Sequence, residues 1–119
     1  MLLGELRSHV YYSSDFTDNE YSWDFTITNS KHQSVYAEMN RDNNPVLLSL
    51  KNHIAGELKA VVNAINYATK NDLLPICIHY RYPGIKNWAT GAWKTNHEAA
   101  RKYQEYISAF KDAVRFVKA

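Results

Sequence analysis

The stretch that decides the fold is ICIHYRYPGIKNWATGAWKTN, residues 76–96. A short apolar run ends at Tyr80 and passes directly into a segment rich in Tyr, Trp, Gly and Lys, with Arg81 at the junction. Because the apolar run follows a helical pattern, we predict a strand that lies parallel to the first strand of the chain. A permanent cation at the end of such a strand must meet either solvent or a compensating anion.

Composition indicates an ordinary globular protein. The 119 residues are 45% hydrophobic and 22% charged, and we treat residues 1–119 as a single domain. The net charge of +2 is too small to indicate nucleic acid or membrane by itself. Cys77 is the single cysteine, which excludes an internal disulfide and a cysteine-only zinc site, and we expect a small buried hydrophobe. Without a signal peptide or a long apolar run, a cytoplasmic protein with no membrane partner is expected.

The first half of the chain has the two-residue period of strands. Residues 8–16 are rich in β-formers, residues 21–29 alternate strictly between apolar and polar, and residues 34–40 alternate again with Val35, Ala37 and Met39. Turn residues separate these segments. The pattern predicts a three-stranded antiparallel meander over residues 9–41.

The second half changes to helical periodicity. Ile54, Leu58, Val61 and Ile65 share one helix face, and this helix should end near Asn71. A strand over 74–80, a break at Pro83, a second amphipathic helix and a last strand over 114–119 complete the order β-β-β-α-β-α-β. This order predicts a mixed sheet with helices packed against it. His53 and Glu57 lie one helical turn apart, but no third ligand has a supporting spacing, so no metal site is predicted.

Two segments carry a family resemblance. HIAGELKAVVNAI, residues 53–65, and GIKNWATGAWK, residues 84–94, resemble the ribonuclease H family of the bacterial type 1 group. The resemblance implies a five-stranded mixed sheet whose first three strands are antiparallel, flanked by two main helices. It also implies a site of four carboxylates that holds two divalent ions for cleavage of the RNA strand in an RNA–DNA hybrid.

The four acidic positions are only partly filled in this chain. Glu57 matches the second acid, whereas Arg81 stands where the third belongs. The first falls on Ser13 in one register and on Asp15 in another, and the two remain open. The fourth lies on a C-terminal helix that would begin where this sequence ends, at Ala119.

An arginine at the third position argues against metal binding. A cation 4 Å from a magnesium ion is repelled by about 8 kcal/mol at an effective dielectric of about 20. Arg81 cannot deprotonate. We therefore expect its guanidinium to occupy the place of the lost metal and to pair with Glu57, and with Asp15 if that residue faces inward.

These features predict a catalytically inactive protein without a cofactor that acts by binding. A protein-interaction module is the leading hypothesis, as a homodimer or as a small regulator or inhibitor from a mobile element. One alternative is a module that binds a hybrid or duplex nucleic acid. Another is a residual nuclease using Mg²⁺ or Mn²⁺, completed by another subunit or by Asp15, Asp18 and Glu57 around one ion. The residues predicted to contact a partner or nucleic acid are aromatic or basic: Tyr82, Lys86, Trp88, Trp93, Lys94, Arg101 and Lys102.

Overall fold

The computed structural model describes residues 6–50 and 53–119 and shows five strands and four helices in this part of the chain. The strands run in the spatial order β3-β2-β1-β4-β5. Strand β2 is antiparallel to both of its neighbours, β1 and β3, and β4 lies parallel to β1 and to β5. The elements are β1 (Ser8–Phe16), β2 (Tyr21–Asn29), β3 (Ser34–Asp42), α1 (Pro45–Leu48), α2 (Ile54–Lys70), β4 (Ile76–Tyr80), α3 (Pro83–Ala89), α4 (Glu98–Ser108) and β5 (Val114–Lys118).

The core lies between the sheet and α2. The four alternating residues of β2, Tyr21, Trp23, Phe25 and Ile27, are at most 4% exposed, as the sequence pattern predicted. They face a helix surface in which four alanines allow close approach to the strands; these are Ala55, Ala60, Ala64 and Ala68. The predicted mixed sheet with an antiparallel first half is therefore confirmed.

Strand β3 differs from its prediction, because its apolar face points away from α2. Val35 and Met39 are exposed, while Tyr36 stacks on Tyr67 of α2 with ring centroids 3.7 Å apart. Glu38, on the same side as Tyr36, accepts hydrogen bonds from Trp23 Nε1 and from the Asn63 amide. Polar contacts to the helix thus determine which face of this edge strand turns inward, and a period-two pattern alone does not identify that face.

The segment after β4 also differs from its prediction. We expected Pro83 to break the chain, but it begins the helix α3. Proline is well tolerated at the first helical position because its fixed φ suits a helix and its missing N–H would have no partner there. The helix directs the chain back across the end of β4 and toward α4.

The sheet has one covered and one open face. Along β1, Val10 and Tyr12 point to the helices and are buried, while His9 and Tyr11 point to the other side. On that second side Tyr11 is 40% exposed, and Met39, which the strand register places on the same side, is 82% exposed. No helix described is both long and apolar enough to cross a membrane.

Candidate functional site

A buried carboxylate marks the end of the sheet where β1 and β4 finish. Glu57 lies in the first turn of α2 and is only 5% exposed. Its Oε1 accepts a hydrogen bond of 2.7 Å from the Tyr12 hydroxyl and one of 3.1 Å from the backbone N–H of Tyr82. The Tyr12 oxygen in turn accepts one of 3.0 Å from the backbone N–H of Arg81. This network, called the Glu57 network below, joins β1, α2 and the end of β4.

Tyr12 is a neutral donor in this network. Burial raises the pKa of Tyr12 well above the usual tyrosine range, and the hydrogen bond to Glu57 and its negative charge raise it further. Burial likewise raises the pKa of nearby Tyr103, with smaller effects from Tyr12 and Glu57. The negative charge of Glu57 is therefore met by neutral O–H and N–H groups.

The ion pair predicted between Arg81 and Glu57 does not form. The salt bridges of the described residues include no contact within 4.0 Å between these two side chains, and Arg81 is exposed. Two donors already occupy Glu57 Oε1, and a solvated guanidinium avoids the desolvation that a buried ion pair requires. Arg81 contributes its backbone N–H to the network and its positive charge to the rim of the adjacent cleft.

Neither Ser13 nor Asp15, the two residues proposed for the first acid, is hydrogen-bonded to Glu57; the β1 residue that reaches it is Tyr12. Ser13 points to the opposite face and donates to both carboxylate oxygens of Asp24 at 2.9 Å. The Asp15 carboxylate accepts a hydrogen bond from the backbone N–H of Phe16. The sequence did contain a signal for this contact. Side chains of a strand alternate between its two faces, so a buried Val10 places Tyr12 on the buried face as well.

An open cleft of about 400 Å³ borders the network. The ring of His53 donates from Nδ1 to the Ser14 carbonyl at 2.9 Å and holds that wall in place. A neighbouring cleft of about 750 Å³ shares Ser14 and His53 and extends across the ends of β1, β2 and β3. The smaller cleft is lined by Ser14, His53, Ile54, Glu57, Arg81, Tyr82 and Pro83.

These residues do not fit a pair of divalent ions. Magnesium prefers several oxygen ligands, usually carboxylates. The cleft supplies one carboxylate, whose Oε1 is already hydrogen-bonded, together with a neutral phenol and an arginine. Across residues 6–50 and 53–119, no group of three ligands that could hold a metal includes Glu57, Asp15 or Asp18. Asp18 lines a different cleft, with Tyr21 and Leu48.

Three aromatic rings form a cluster beside the cleft. Trp88 and Trp93 lie edge to face with ring centroids 6.3 Å apart, and Tyr82 contacts both at 5.6 and 6.2 Å. Trp88 is 8% exposed and packs α3 onto the core, whereas Trp93 is 40% exposed. Gln104 of α4 donates to the carbonyls of Trp88 and Trp93 and fixes the loop between them. The outer ring, Trp93, is therefore the one available for stacking.

The predicted cations are exposed. Lys86 extends from α3, Lys94 follows Trp93, and Arg101 lies on α4. Lys102 forms an ion pair with Glu98 at 3.8 Å, one helical turn away, so part of its charge is compensated. Lys86, Lys94 and Arg81 are thus exposed cations on the same segment of chain after β4 that carries Trp93.

Comparison with solved structures identifies the architecture. The chain is similar to ribonuclease H1 of the halophilic archaeon Halobacterium salinarum, with a TM-score of 0.78, 15% identity, and coverage of 95% of this chain and 85% of that one. It also resembles the N-terminal ribonuclease H domain of a Mycobacterium tuberculosis protein, with a TM-score of 0.76, 10% identity, and coverage of 96% and 84%.

A third similar structure is LC11 ribonuclease H1, isolated from compost, in complex with an RNA/DNA hybrid. Its TM-score is 0.73 at 13% identity, with coverage of 95% of this chain and 85% of that one. Neither known family models nor the sequences of characterised proteins match the chain. The chain therefore has the ribonuclease H fold, as the resemblance in sequence predicted.

Proposed function

We propose that this ribonuclease H-fold protein binds nucleic acid without cleaving it. The observation that carries the proposal is the Glu57 network, because it uses the one carboxylate of the cleft as a structural hydrogen-bond acceptor. Two-metal hydrolysis needs clustered acids to neutralise and hold both ions. Tyr12 and Arg81 stand beside Glu57 instead, one neutral and one positively charged.

The surface that supports binding follows β4. Arg81, Lys86 and Lys94 provide positive charge that can meet phosphates, and Trp93 provides a flat ring that can stack on a base or sugar. The hybrid-bound LC11 structure has the same fold, which supports a hybrid or duplex as the ligand class. We call Arg81, Lys86, Trp93 and Lys94 the basic–aromatic surface.

Hydrolysis is tested with a labelled RNA–DNA hybrid in the presence of Mg²⁺ or Mn²⁺. We expect no cleavage above the level of a Glu57→Gln variant prepared in parallel. Metal-dependent cleavage that disappears in Glu57→Gln would refute the inactive site and support the residual nuclease. This assay is independent of binding, since an inactive protein can still bind the hybrid.

Binding is tested by fluorescence anisotropy of a labelled hybrid, a DNA duplex and a single strand over a range of salt concentrations. We expect affinity to fall steeply with salt, and Lys94→Ala to reduce the slope of log K against log salt by about 1. Trp93→Ala should weaken binding about 5-fold or more, because stacking contributes about 1–3 kcal/mol per base.

Lys31→Ala is the matched control for the binding assay. Lys31 is exposed in the turn after β2, beside the strand end where Asn29 pairs with Ser8, so it lies at the opposite end of the sheet from the cleft. Its removal should leave affinity nearly unchanged. Equal losses for Lys31→Ala and Lys94→Ala, or no binding to any probe at low salt, would exclude the basic–aromatic surface as a nucleic-acid interface.

A second candidate function, self-association, is favoured by the open face of the sheet. Tyr11, Met39 and Val117 are 40%, 82% and 41% exposed, and the strand register places all of them on that side. Apolar side chains collected on one face suit a protein partner, and a second copy is the simplest one. Sedimentation of the protein and of Met39→Glu would test this: a dimer that the charge dissociates supports it, and a monomer at all concentrations excludes it.

A further inference from the structure

Three potential metal ligands meet on the open face of the sheet, away from the Glu57 network. They are His9 of β1 and Cys77 and His79 of β4, and their ligand atoms all lie within 4.8 Å of one another. Nδ1 of His9 is 3.0 Å from Nε2 of His79. The parallel pairing of β1 with β4 brings these three side chains together, since His9 is paired with Cys77 and Tyr11 with His79.

The sheet holds these side chains in place. The His79 ring stacks on Tyr11 with centroids 4.3 Å apart and an angle of 11° between the planes. The His9 ring lies 5.2 Å from the His79 ring, and both rings are partly buried. Cys77 is 1% exposed beneath them. Ligands on two hydrogen-bonded strands need little ordering when an ion binds, which favours affinity.

We propose that His9, Cys77 and His79 form a zinc-binding site whose fourth position is open to solvent. Imidazole nitrogen and thiolate sulfur are the preferred ligands of Zn²⁺, and three protein ligands with one free position are typical of an open zinc site. A set of two nitrogens and one sulfur does not suit Mg²⁺ or Ca²⁺, which require oxygen. The site is independent of the proposed nucleic-acid function, because it lies on the other face of the sheet.

The distances between the ligand atoms are close to those around a tetrahedrally coordinated zinc ion. Zn–N bonds of about 2.0–2.1 Å place two coordinating nitrogens about 3.3 Å apart, and a Zn–S bond of about 2.3 Å places sulfur about 3.6 Å from each nitrogen. The two imidazole nitrogens are already 3.0 Å apart. The Cys77 sulfur lies no more than 4.8 Å from either nitrogen. It must therefore move closer to them by at most about 1.2 Å to reach the separation expected around zinc.

Binding changes the protonation of the site in a defined way. The hydrogen bond between the two rings is replaced by two Zn–N bonds, so both rings become neutral tautomers with the proton on the nitrogen that faces away from the ion. The thiol of Cys77 loses its proton to solvent as the Zn–S bond forms. Metal and thiolate are not oxidised or reduced, and no other reactant is required.

Cobalt substitution gives a direct test on the unaltered chain. Co²⁺ takes the place of Zn²⁺, and a bound thiolate produces an intense sulfur-to-metal band in the near ultraviolet. Because Cys77 is the single cysteine of the sequence, this band can come from no other residue. We expect one Co²⁺ per chain, with visible bands of four-coordinate cobalt that one equivalent of Zn²⁺ removes. Absence of the sulfur band under reducing conditions would overturn the proposal.

Two ligand variants and a histidine control make the assignment specific. Cys77→Ser should lose the sulfur band, and His79→Asn should weaken Zn²⁺ at least about 10-fold, since even removal of a group that only supports a ligand costs about 10–100-fold. His97→Asn is the control, because His97 caps α4 through the N–H of Ala99 and asparagine can replace this cap. It should bind Zn²⁺ like the parent chain. Equal zinc affinity in the parent and Cys77→Ser would refute the site, and circular dichroism without metal identifies any variant that fails to fold.

Discussion

Replacing Tyr12 by phenylalanine tests the Glu57 network most directly. The substitution removes one oxygen and keeps the ring, so the packing of the side chain in the core is unchanged. Glu57 then loses the shorter of its two hydrogen bonds, the one of 2.7 Å. Because the carboxylate is 5% exposed, water cannot easily replace the lost donor.

The expected loss of stability follows from the two hydrogen bonds made by the Tyr12 hydroxyl. A hydrogen bond to a charged group contributes about 1.5–3 kcal/mol to stability. The backbone N–H of Arg81 also loses its acceptor, and as a neutral group near the surface it adds about 1 kcal/mol or less. We therefore expect Tyr12→Phe to reduce the free energy of unfolding by about 1.5–4 kcal/mol.

Urea unfolding followed by circular dichroism measures this difference. Tyr36→Phe is the control, because its hydroxyl donates to Glu38 at 3.2 Å in a partly exposed setting, and we expect a loss below about 1 kcal/mol. A double-mutant cycle with Glu57→Gln should show a coupling energy of about 1 kcal/mol or more between Tyr12 and Glu57. A Tyr12→Phe variant as stable as the parent, or a coupling near zero, would refute the network as the reason for the buried carboxylate.

Three further predictions concern stability. Gly56→Ala should destabilise the protein by about 1–3 kcal/mol in urea unfolding despite its better helix propensity, because the new Cβ would meet the Ser22 carbonyl oxygen of β2 and lie 2.7 Å from Ser14 Cβ. Arg81→Ala should change the unfolding free energy by less than about 0.5 kcal/mol, since its side chain is exposed. A loss of several kcal/mol would instead indicate that Arg81 forms an ion pair with Glu57 in the parent protein. Burial, aided by the charge of Asp42, raises the pKa of Tyr21 from 10.0 to about 12. The protonated Tyr21 hydroxyl therefore contributes fully to the free energy of unfolding below pH 10, and this contribution declines as the pH rises toward 12. The urea midpoint should fall more steeply over this pH range for the parent than for Tyr21→Phe.

The sequence predicts the sheet well because strand periodicity and turn residues are local signals. Residues 8–16 and 21–29 were expected as strands and form β1 and β2 with these bounds. The parallel placement of β4 followed from the helix that precedes it. The helix α3 was missed because Pro83 and Gly84 are usual signs of a loop. Only the position of Pro83 directly at the start of the helix makes proline compatible with it.

The candidate site was harder to predict because its key contacts join distant parts of the chain. Tyr12 and Glu57 are 45 residues apart, and Arg81 reaches Tyr12 through its backbone, which no side-chain motif reveals. The same holds for the proposed zinc ligands. Cys77 was expected as a buried hydrophobe, and it is buried, but His9 is 70 residues from His79 and meets it only through the register of two parallel strands.

The Glu57 network explains how the chain can bury a carboxylate next to the end of β4, where Arg81 lies, without an internal ion pair. A buried carboxylate needs compensation, and two neutral donors, the Tyr12 hydroxyl and the Tyr82 N–H, supply it at Oε1. The guanidinium of Arg81 is then not required inside the protein and stays hydrated at the rim of the cleft, where it avoids the cost of desolvation. A hydrated cation at the rim of the cleft can still meet a phosphate group. Tyr12 and Arg81 therefore have two separate effects: the phenol of Tyr12 stabilises the buried carboxylate, and the side chain of Arg81 adds positive charge to the proposed basic–aromatic surface.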